Sequence, residues 1–371
     1  MAIKNLGKKE LEYLIIGATI FGTGGGGDPE EGLKTLLKDL EEGRKISIID
    51  PKDVKDDALT VCAYFAGTIA PPSKEVLERI SKLPRIPESP VVAAVRLLEE
   101  YVGEKSQAIL PAEIGGGNTA EALHVAALLG LPAIDGDLCG RSLPEIVQST
   151  YYVFGIPITP LSVVDPFGNS LIITKIIDDT YVDTIVRPIT VAAGGHVGVA
   201  DHPVKGEVMK KTIVTNTLTK SIELGKAVTE AVKRGEDPIE AIIKFTDGFL
   251  LFKGIVKSNE WEDKEGFMYG TSTIEGIDEY SGSTMKIWYK NENLMAWRDG
   301  KVVATCPDLI CVVDSETGHG ITNDKLSKGM KVTVIGIKAP EVWRTEKGLK
   351  VLSPKYFGFK EEYIPIEKLQ K

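Results

Sequence analysis

Residues 107–135, QAILPAEIGGGNTAEALHVAALLGLPAID, decide the fold that the sequence predicts. The apolar stretch Gln107–Glu113 indicates a strand, although Pro111 restricts it to a sheet edge or a strand end. Three glycines then turn the chain into a helix over Thr119–Leu129, and Leu131–Asp135 is the next strand. A strand, a helix and a strand in succession favour a right-handed crossover between parallel neighbours. We therefore expect an α/β domain with a mainly parallel sheet.

The sequence before this unit continues the alternation of helices and strands. Lys8–Phe21 has apolar residues at helical spacing and stops where a run of glycines begins. Asp28 and Pro29 are typical of an N-cap and a first helical position, so a second helix begins there. Further predicted elements are a buried strand over Leu59–Phe65 and helices over Ser73–Leu83 and Pro90–Val102.

The pattern changes near Tyr151, after which short β-rich segments dominate. Strands are predicted over Leu161–Val164, Ser170–Ile177 and Val182–Val191, and again from Gly248 onward, with an Asp-Gly hairpin signal at residues 299–300. We therefore predict two domains. Residues 1–168 form an α/β N-terminal domain, and residues 169–371 form a β-rich, barrel-like C-terminal domain with a helical stretch near residues 220–246.

Composition excludes several classes of protein. The 371 residues include 53 acidic and 44 basic side chains, a net charge of −9, which disfavours nonspecific nucleic-acid binding. The sequence has no apolar run of about 18 residues, so no membrane span is predicted. The N-terminal residues lack the apolar stretch of a signal peptide, and the four cysteines have no CxxC spacing, so we expect a reduced, cytoplasmic protein. The 38 glycines are a larger fraction of the residues than the roughly 7% that is usual in proteins.

The first concentration of glycines is GTGGGGDP, residues 22–29. Consecutive backbone N–H groups next to a helix N-terminus favour an anion-binding nest, so Gly24, Gly25, Gly26, Gly27 and Asp28 are candidate substrate-binding residues. The run is not a P-loop, because it follows a helix and has no lysine. The alternative is a tight turn between helices or a place of close backbone packing.

Candidate site residues follow both strands of the 107–135 unit, where ligands bind in open α/β sheets. Glu113 and the candidate substrate-binding residues Gly116, Gly117 and Asn118 come after the first strand. Asp135, Asp137, Arg141 and a further candidate substrate-binding residue, Glu145, come after the second. We expect the three carboxylates Glu113, Asp135 and Asp137 to converge. Three such groups in a dry pocket need a proton or a divalent cation between them. The alternatives are that Asn118 caps the helix in a capping box with Glu121, and that Arg141 and Glu145 form a surface pair.

One interpretation of these carboxylates is a metal site. Asp135 and Asp137 are the predicted ligands, joined by His196, whose small neighbours in AGGHVG permit close approach. Cys139, inside the acidic loop, is a weaker candidate nucleophile. A serine-hydrolase triad is not supported, because the sequence has no GxSxG.

Five stretches resemble one known family. They are GATIFGTGGGGDP (17–29), EIGGGN (113–118), DGDLCGRSLPE (135–145), GITNDKLSKGMKVTVIGI (320–337) and EVWRTEKGLKVLSPKYFGF (341–359). The chain resembles the S-methyl thiohydantoin desulfurase-like family, earlier a domain of unknown function and often described as hydantoin-utilization proteins. The resemblance implies an α/β domain followed by a β-rich domain, and hydrolytic removal of sulfur from such rings. The family usually has Gly and Met-like residues at Leu138 and Cys139, which disfavours Cys139 as a shared nucleophile.

Two functions follow from the residues and the resemblance together. One is a hydrolase of a hydantoin- or thiohydantoin-like ring, in which Glu113, Asp135 or Asp137 activates water directly or through a metal and Arg141 holds a substrate carboxylate. The other is a noncatalytic small-molecule-binding or regulatory subunit of a hydantoin-utilization system. A nucleotide- or phosphate-handling enzyme is a third. The expected partners are a small molecule and either further copies of the chain or hydantoinase-type subunits, with no nucleic acid and no membrane.

Overall fold

The computed structural model describes residues 3–67 and 72–370. The helices are α1 (Lys8–Phe21), α2 (Pro29–Glu41), α3 (Lys74–Ile80), α4 (Pro90–Val102), α5 (Gly116–Leu129), α6 (Thr150–Phe154), α7 (Val182–Ala192), α8 (Gly206–Thr212), α9 (Thr217–Arg234), α10 (Pro238–Thr246), α11 (Glu346–Val351) and α12 (Ile366–Leu369).

The strands within the described residues fall into three sheets. They are β1 (Ile3–Asn5), β2 (Ser47–Ile49), β3 (Leu59–Gly67), β4 (Ser106–Leu110), β5 (Ala133–Ile134), β6 (Gly136–Asp137), β7 (Leu161–Val164), β8 (Ser170–Ile173), β9 (His196–Lys205), β10 (Val214–Thr215), β11 (Phe249–Lys264), β12 (Phe267–Gly276), β13 (Thr284–Lys290), β14 (Glu292–Arg298), β15 (Lys301–Thr305), β16 (Leu309–Asp314) and β17 (Lys331–Ile337). The smallest sheet contains only β6 and β10.

The first large sheet confirms the predicted α/β class. Its order is β1-β2-β5-β4-β3-β9-β7-β8, and the four strands β2, β5, β4 and β3 run parallel to one another. The other pairs are antiparallel, so the sheet is mixed and its parallel part is narrower than predicted. The reason is β9, whose ten residues return beside β3 and carry the β7–β8 hairpin at their other side.

The second large sheet confirms the predicted β-rich architecture. Its order is β15-β14-β13-β12-β11-β17-β16, with every neighbouring pair antiparallel. The sheet curls until β16 contacts β14 and β15 at the opposite edge, as in a barrel. The predicted Asp-Gly hairpin joins β14 to β15, and both turn residues, Asp299 and Gly300, have positive φ.

One predicted strand is wrong. Val182–Ala192 is helix α7, whereas the sequence predicts a strand there because the segment is rich in β-branched residues. Val182, Val186 and Thr190 are buried at a spacing of four, which places them on one helical face against the core. Packing of that face decides the local structure against the propensity of the individual residues.

The two halves of the chain are joined by close contact between α1 and α9. A Cβ on Gly17 would lie 2.0 Å from the carbonyl oxygen of Ser221, and one on Gly225 would lie 1.9 Å from that of Tyr13. Only glycine permits the two backbones to approach this closely. None of the helices in the two described stretches is long and apolar enough to cross a membrane.

Candidate functional site

A cleft of about 250 Å³ lies where the first sheet meets the second half of the chain. Its walls come from β3, from the segments after β4 and β6, from β9 and from the start of β14. Such a position beyond the carboxyl ends of parallel strands is where α/β sheets bind ligands. Polar and ionisable residues on the walls are Cys62, Tyr64, Glu113, Asn118, Cys139, Glu145, Gln148, Ser149, Arg187, His196, Asp201, His202, Asn291 and Glu292.

Glu113 lies three residues beyond β4 and lines the cleft, as the sequence predicts. One carboxylate oxygen accepts a hydrogen bond from the Asn118 side chain at 2.5 Å, and the other accepts from the Leu143 backbone N–H at 2.7 Å. Burial raises the pKa of Glu113 to about 7, and the charge of Asp137 adds to the rise, while the two hydrogen bonds oppose it. A carboxyl of this kind exchanges a proton readily at neutral pH.

Asn118 therefore does not cap the helix as predicted. The helix begins at Gly116, three residues earlier than predicted, with Gly115 at the N-cap position. The Asn118 side chain therefore makes no cap hydrogen bond, and its amide N–H donates to Glu113 instead.

Glu292, at the start of β14, is a second buried carboxyl on the cleft wall. Burial and the nearby charge of Glu113 raise its pKa well above the usual range, although Arg141 opposes the shift. The side chain lies against Gly25, where a Cβ would come within 2.0 Å of its Oε1 atom. Sequence reasoning misses Glu292 because no motif surrounds it and it lies 179 residues after Glu113.

Asp201 and His202 on β9 form a hydrogen-bonded pair in the same cleft. His202 Nδ1 lies 2.6 Å from Asp201 Oδ1, and the Tyr64 hydroxyl donates to Asp201 Oδ2 at 2.6 Å. His202 is 3% exposed, has a positive φ of 44°, and lies at a bulge in the pairing of β3 with β9. The sequence around it, Asp201-His202-Pro203, resembles a turn and gives no signal of a buried pair.

The two glycine-rich loops pack against each other. A Cβ on Gly115 would lie 2.3 Å from the Gly26 Cα atom, and one on Gly117 would lie 2.9 Å from Gly27. The Gly26 carbonyl accepts the N–H groups of Gly117 and Asn118 at 2.9 Å each. The alternative of close backbone packing therefore accounts for these glycines, because a side chain on either loop would separate them.

The glycine loops contribute only part of the predicted substrate-binding set to the cleft. Gly26 and Gly27 line it, together with Asn118 and Glu145. The predicted residues outside its walls are Gly24, Gly25, Asp28, Gly116 and Gly117. Asp28 acts as the N-cap of α2, accepting from the N–H groups of Glu30 and Glu31.

The three predicted carboxylates do not all converge in the cleft, although Asp137 acts electrostatically on Glu113. Asp135 accepts hydrogen bonds from the backbone N–H and the hydroxyl of Thr219 in α9. Asp137 accepts from the N–H groups of Cys139 and Gly140 at 2.6 Å each, which closes its own loop. Burial raises the pKa of Asp137 to about 7, and its charge reaches Glu113, but neither aspartate lines the cleft.

Arg141 is also inaccessible to a substrate anion in the cleft. The guanidinium is fully buried and donates to the carbonyl oxygens of Ser142, Pro307, Asp308 and Asn293 and to the Thr23 hydroxyl. These acceptors belong to both halves of the chain. Arg141 therefore holds the halves together, which corrects its predicted role as a substrate clamp.

Glu145 lines the cleft with its carboxylate already engaged. It forms an ion pair with Lys290 and accepts a hydrogen bond from the Tyr356 hydroxyl at 2.5 Å. The Lys290 ammonium also lies 3.9 Å from the centre of the Phe267 ring, a cation–π contact. Glu145 thus ties the loop after β6 to the second sheet and to the segment after α11.

The predicted metal ligands do not form a group. Asp135 is bound to Thr219, Asp137 is bound to its own loop, and His196 lies on the cleft wall with its ring edge-on to Phe65 at 5.2 Å. Within residues 3–67 and 72–370, no three His, Cys, Asp or Glu side chains are placed together so that they could hold a metal ion. Partial burial and the charge of Arg85 lower the pKa of His196.

Two thiols, Cys62 and Cys139, line the cleft. Burial and the charges of Asp137 and Glu113 raise the pKa of both well above the usual range. The Cys139 thiol donates to the Gln148 carbonyl at 3.2 Å. Since the thiolate is the nucleophilic form, these surroundings disfavour both sulfur atoms as nucleophiles.

Comparisons with known proteins cover nearly the whole chain. Family models described as "S-Me-THD-like, N-terminal domain" and "S-Me-THD-like, C-terminal domain" match residues 9–175 and 177–366. The crystal structure of a protein from Chromobacterium violaceum has a TM-score of 0.79 and 24% identity, and covers 98% of this chain and 100% of its own. That similarity shows a shared fold. No curated protein matches the chain.

Proposed function

This chain belongs to the S-Me-THD-like family, and from that premise we propose that its cleft hydrolyses the C–S bond of a hydantoin-type ring that carries a sulfur substituent. The observation that carries the proposal is Glu113, a buried carboxyl on the cleft wall with a pKa of about 7. A volume of about 250 Å³ suits a small ring, since pockets for drug-sized ligands occupy about 300–1,000 Å³.

The reaction consumes one molecule of water. In an S-methyl thiohydantoin, the water oxygen bonds to the ring carbon that carries sulfur, and the C=N electron pair moves to nitrogen. The adduct then forms C=O as the C–S bond breaks, and the bonding pair leaves with sulfur. One proton of water ends on the ring nitrogen and the other on sulfur, so the products are the hydantoin and methanethiol.

Glu113 acts as the base in this scheme. Its carboxylate takes a proton from the attacking water and gives it to the ring nitrogen, which becomes basic as the adduct forms. The hydrogen bonds from Asn118 and Leu143 hold the carboxylate in one orientation, while burial keeps its proton affinity high enough to accept the proton. Burial and the charge of Glu113 raise the pKa of the nearby Glu292, which favours its uncharged form.

The experiment compares two glutamate variants with the parent protein. Methanethiol release from S-methyl thiohydantoins is followed with a thiol reagent for the parent, Glu113→Gln and Glu121→Gln. Glu121 is the matched control because burial also raises its pKa to about 7, yet it lies outside the cleft. We expect Glu113→Gln to lower kcat by about 10²–10⁴-fold and Glu121→Gln to leave kcat unchanged.

Two outcomes would contradict the proposal. A parent protein that binds the ring, seen as thermal stabilisation, but releases no thiol would favour the noncatalytic binding subunit. Turnover that survives Glu113→Gln would remove Glu113 from the mechanism.

A further inference from the structure

We propose that His202 is the proton carrier for the departing sulfur, held in position by Asp201 and Tyr64. This inference rests on the proposed desulfurase function and adds a second catalytic residue to it. Glu113 transfers a proton from the water to the ring nitrogen. His202 transfers the hydroxyl proton of the adduct to the sulfur. His202 Nε2 takes the hydroxyl proton as C=O forms and gives it to sulfur as the C–S bond breaks, so both residues end as they began.

The hydrogen bond to Asp201 fixes which ring nitrogen carries the proton. A carboxylate can only accept, so Nδ1 of His202 is the donor at 2.6 Å. In the neutral ring, Nε2 then carries the free lone pair. No other hydrogen-bond partner of the His202 ring lies within the described parts of the chain, and the residue lines the cleft.

Asp201 is itself held by a second donor. Its other oxygen accepts from the Tyr64 hydroxyl at 2.6 Å, and burial with the charge of Asp201 raises the pKa of Tyr64, which keeps the phenol protonated. A base oriented by a third group is the arrangement found in acid–base and nucleophilic sites generally. The Tyr151 ring, 4.8 Å from the His202 ring between centroids, restricts the remaining freedom of the imidazole.

The backbone at His202 favours a function over a packing role. Its φ of 44° lies in the left-handed region, which residues other than glycine seldom adopt. The bulge there shifts the pairing between Thr60 and Cys62, and bulges near active sites re-aim one side chain. A histidine that only filled the core would need neither the strained backbone nor a buried carboxylate partner.

The variant that tests this role is His202→Asn. Asparagine tolerates positive φ, and its amide can still donate to Asp201, so the fold is expected to persist. What it lacks is an atom in the place of Nε2. His319→Asn is the matched control, because His319 is exposed and lies outside the cleft. Thermal melting of both variants verifies folding.

The readout is the dependence of rate on the leaving group. An S-methyl substrate releases a basic thiolate that needs a proton, whereas an S-(4-nitrophenyl) substrate releases a stable thiolate that does not. We expect His202→Asn to lower kcat/KM about 100-fold or more for the methyl compound and less than about 10-fold for the nitrophenyl compound. Asp201→Asn should show the same selectivity to a smaller extent.

Equal losses on both substrates, or no loss on either, would overturn the role of His202 while leaving the proposed function intact. A parent protein that hydrolyses neither compound would overturn both.

Discussion

Replacing Arg141 by lysine should destabilise the protein rather than weaken substrate binding. The guanidinium donates five hydrogen bonds in a fully buried position, four to carbonyl oxygens and one to a hydroxyl. Its acceptors lie at the start of β14, on the turn between β15 and β16, in the first glycine-rich loop and on the adjacent Ser142. Lysine has three donors on one nitrogen atom and cannot reproduce the planar fork.

The expected magnitude follows from the number of lost bonds. At least two of the five hydrogen bonds that Arg141 donates cannot form with lysine. A hydrogen bond to a charged group contributes about 1.5–3 kcal/mol, so the free energy of unfolding should fall by about 3–6 kcal/mol. Since domains are stable by only about 5–15 kcal/mol, this is a large share.

Denaturant unfolding followed by tryptophan fluorescence measures the change. Arg96→Lys is the control, because Arg96 is 55% exposed and pairs with Glu88 at the surface, so its replacement should alter the free energy of unfolding by less than about 0.5 kcal/mol. An Arg141→Lys protein as stable as the parent but with a raised KM would refute the structural role and restore the substrate clamp.

Two further predictions concern stability. Burial raises the pKa of Glu121 from 4.5 to about 7, so the folded protein binds more protons than the unfolded chain between these values and loses stability as pH rises through them. Glu121→Gln should therefore raise the free energy of unfolding by about 1–3 kcal/mol at pH 8 and leave it unchanged at pH 4, and equal effects at both values would contradict this. Gly115→Ala should cost about 1–3 kcal/mol or more, because the backbone at Gly115 is extended and the whole penalty comes from the approach of Gly26. Gly7→Ala, whose Cβ would meet only the flexible end of Glu10, should be nearly neutral by thermal melting, and equal costs would contradict the steric explanation.

The sequence predicts the parts of the cleft that follow from local order. Five residues separate the end of β4 from the start of α5, so a strand–helix pattern places Glu113 and Asn118 together. The position of Asp135 is not predicted correctly, for the opposite reason. Its strand ends at Ile134, and its partner Thr219 lies 84 residues further on, in a helix whose position the local pattern does not determine.

The cleft residues that come from the second half of the chain are not predicted by local sequence patterns. Asp201 and His202 reach the cleft because β9 runs antiparallel to β3, and Glu292 because the curled sheet is packed against the glycine loop. Both are tertiary arrangements between segments that are at least 129 residues apart. The helix over Val182–Ala192 shows the same limit at a smaller scale, since its β-branched residues favour a strand until one face is buried.

The contact between α1 and α9 has a consequence for synthesis of the protein. During synthesis α1 leaves the ribosome early, but the helix that packs against it begins at Thr217, after more than half of the 371 residues. At about 5–20 residues per second, α1 waits roughly 10–40 s for its partner. During that interval the nascent chain presents the uncovered face of α1 to the cell, so chaperone capture at this stage should precede completion of the fold.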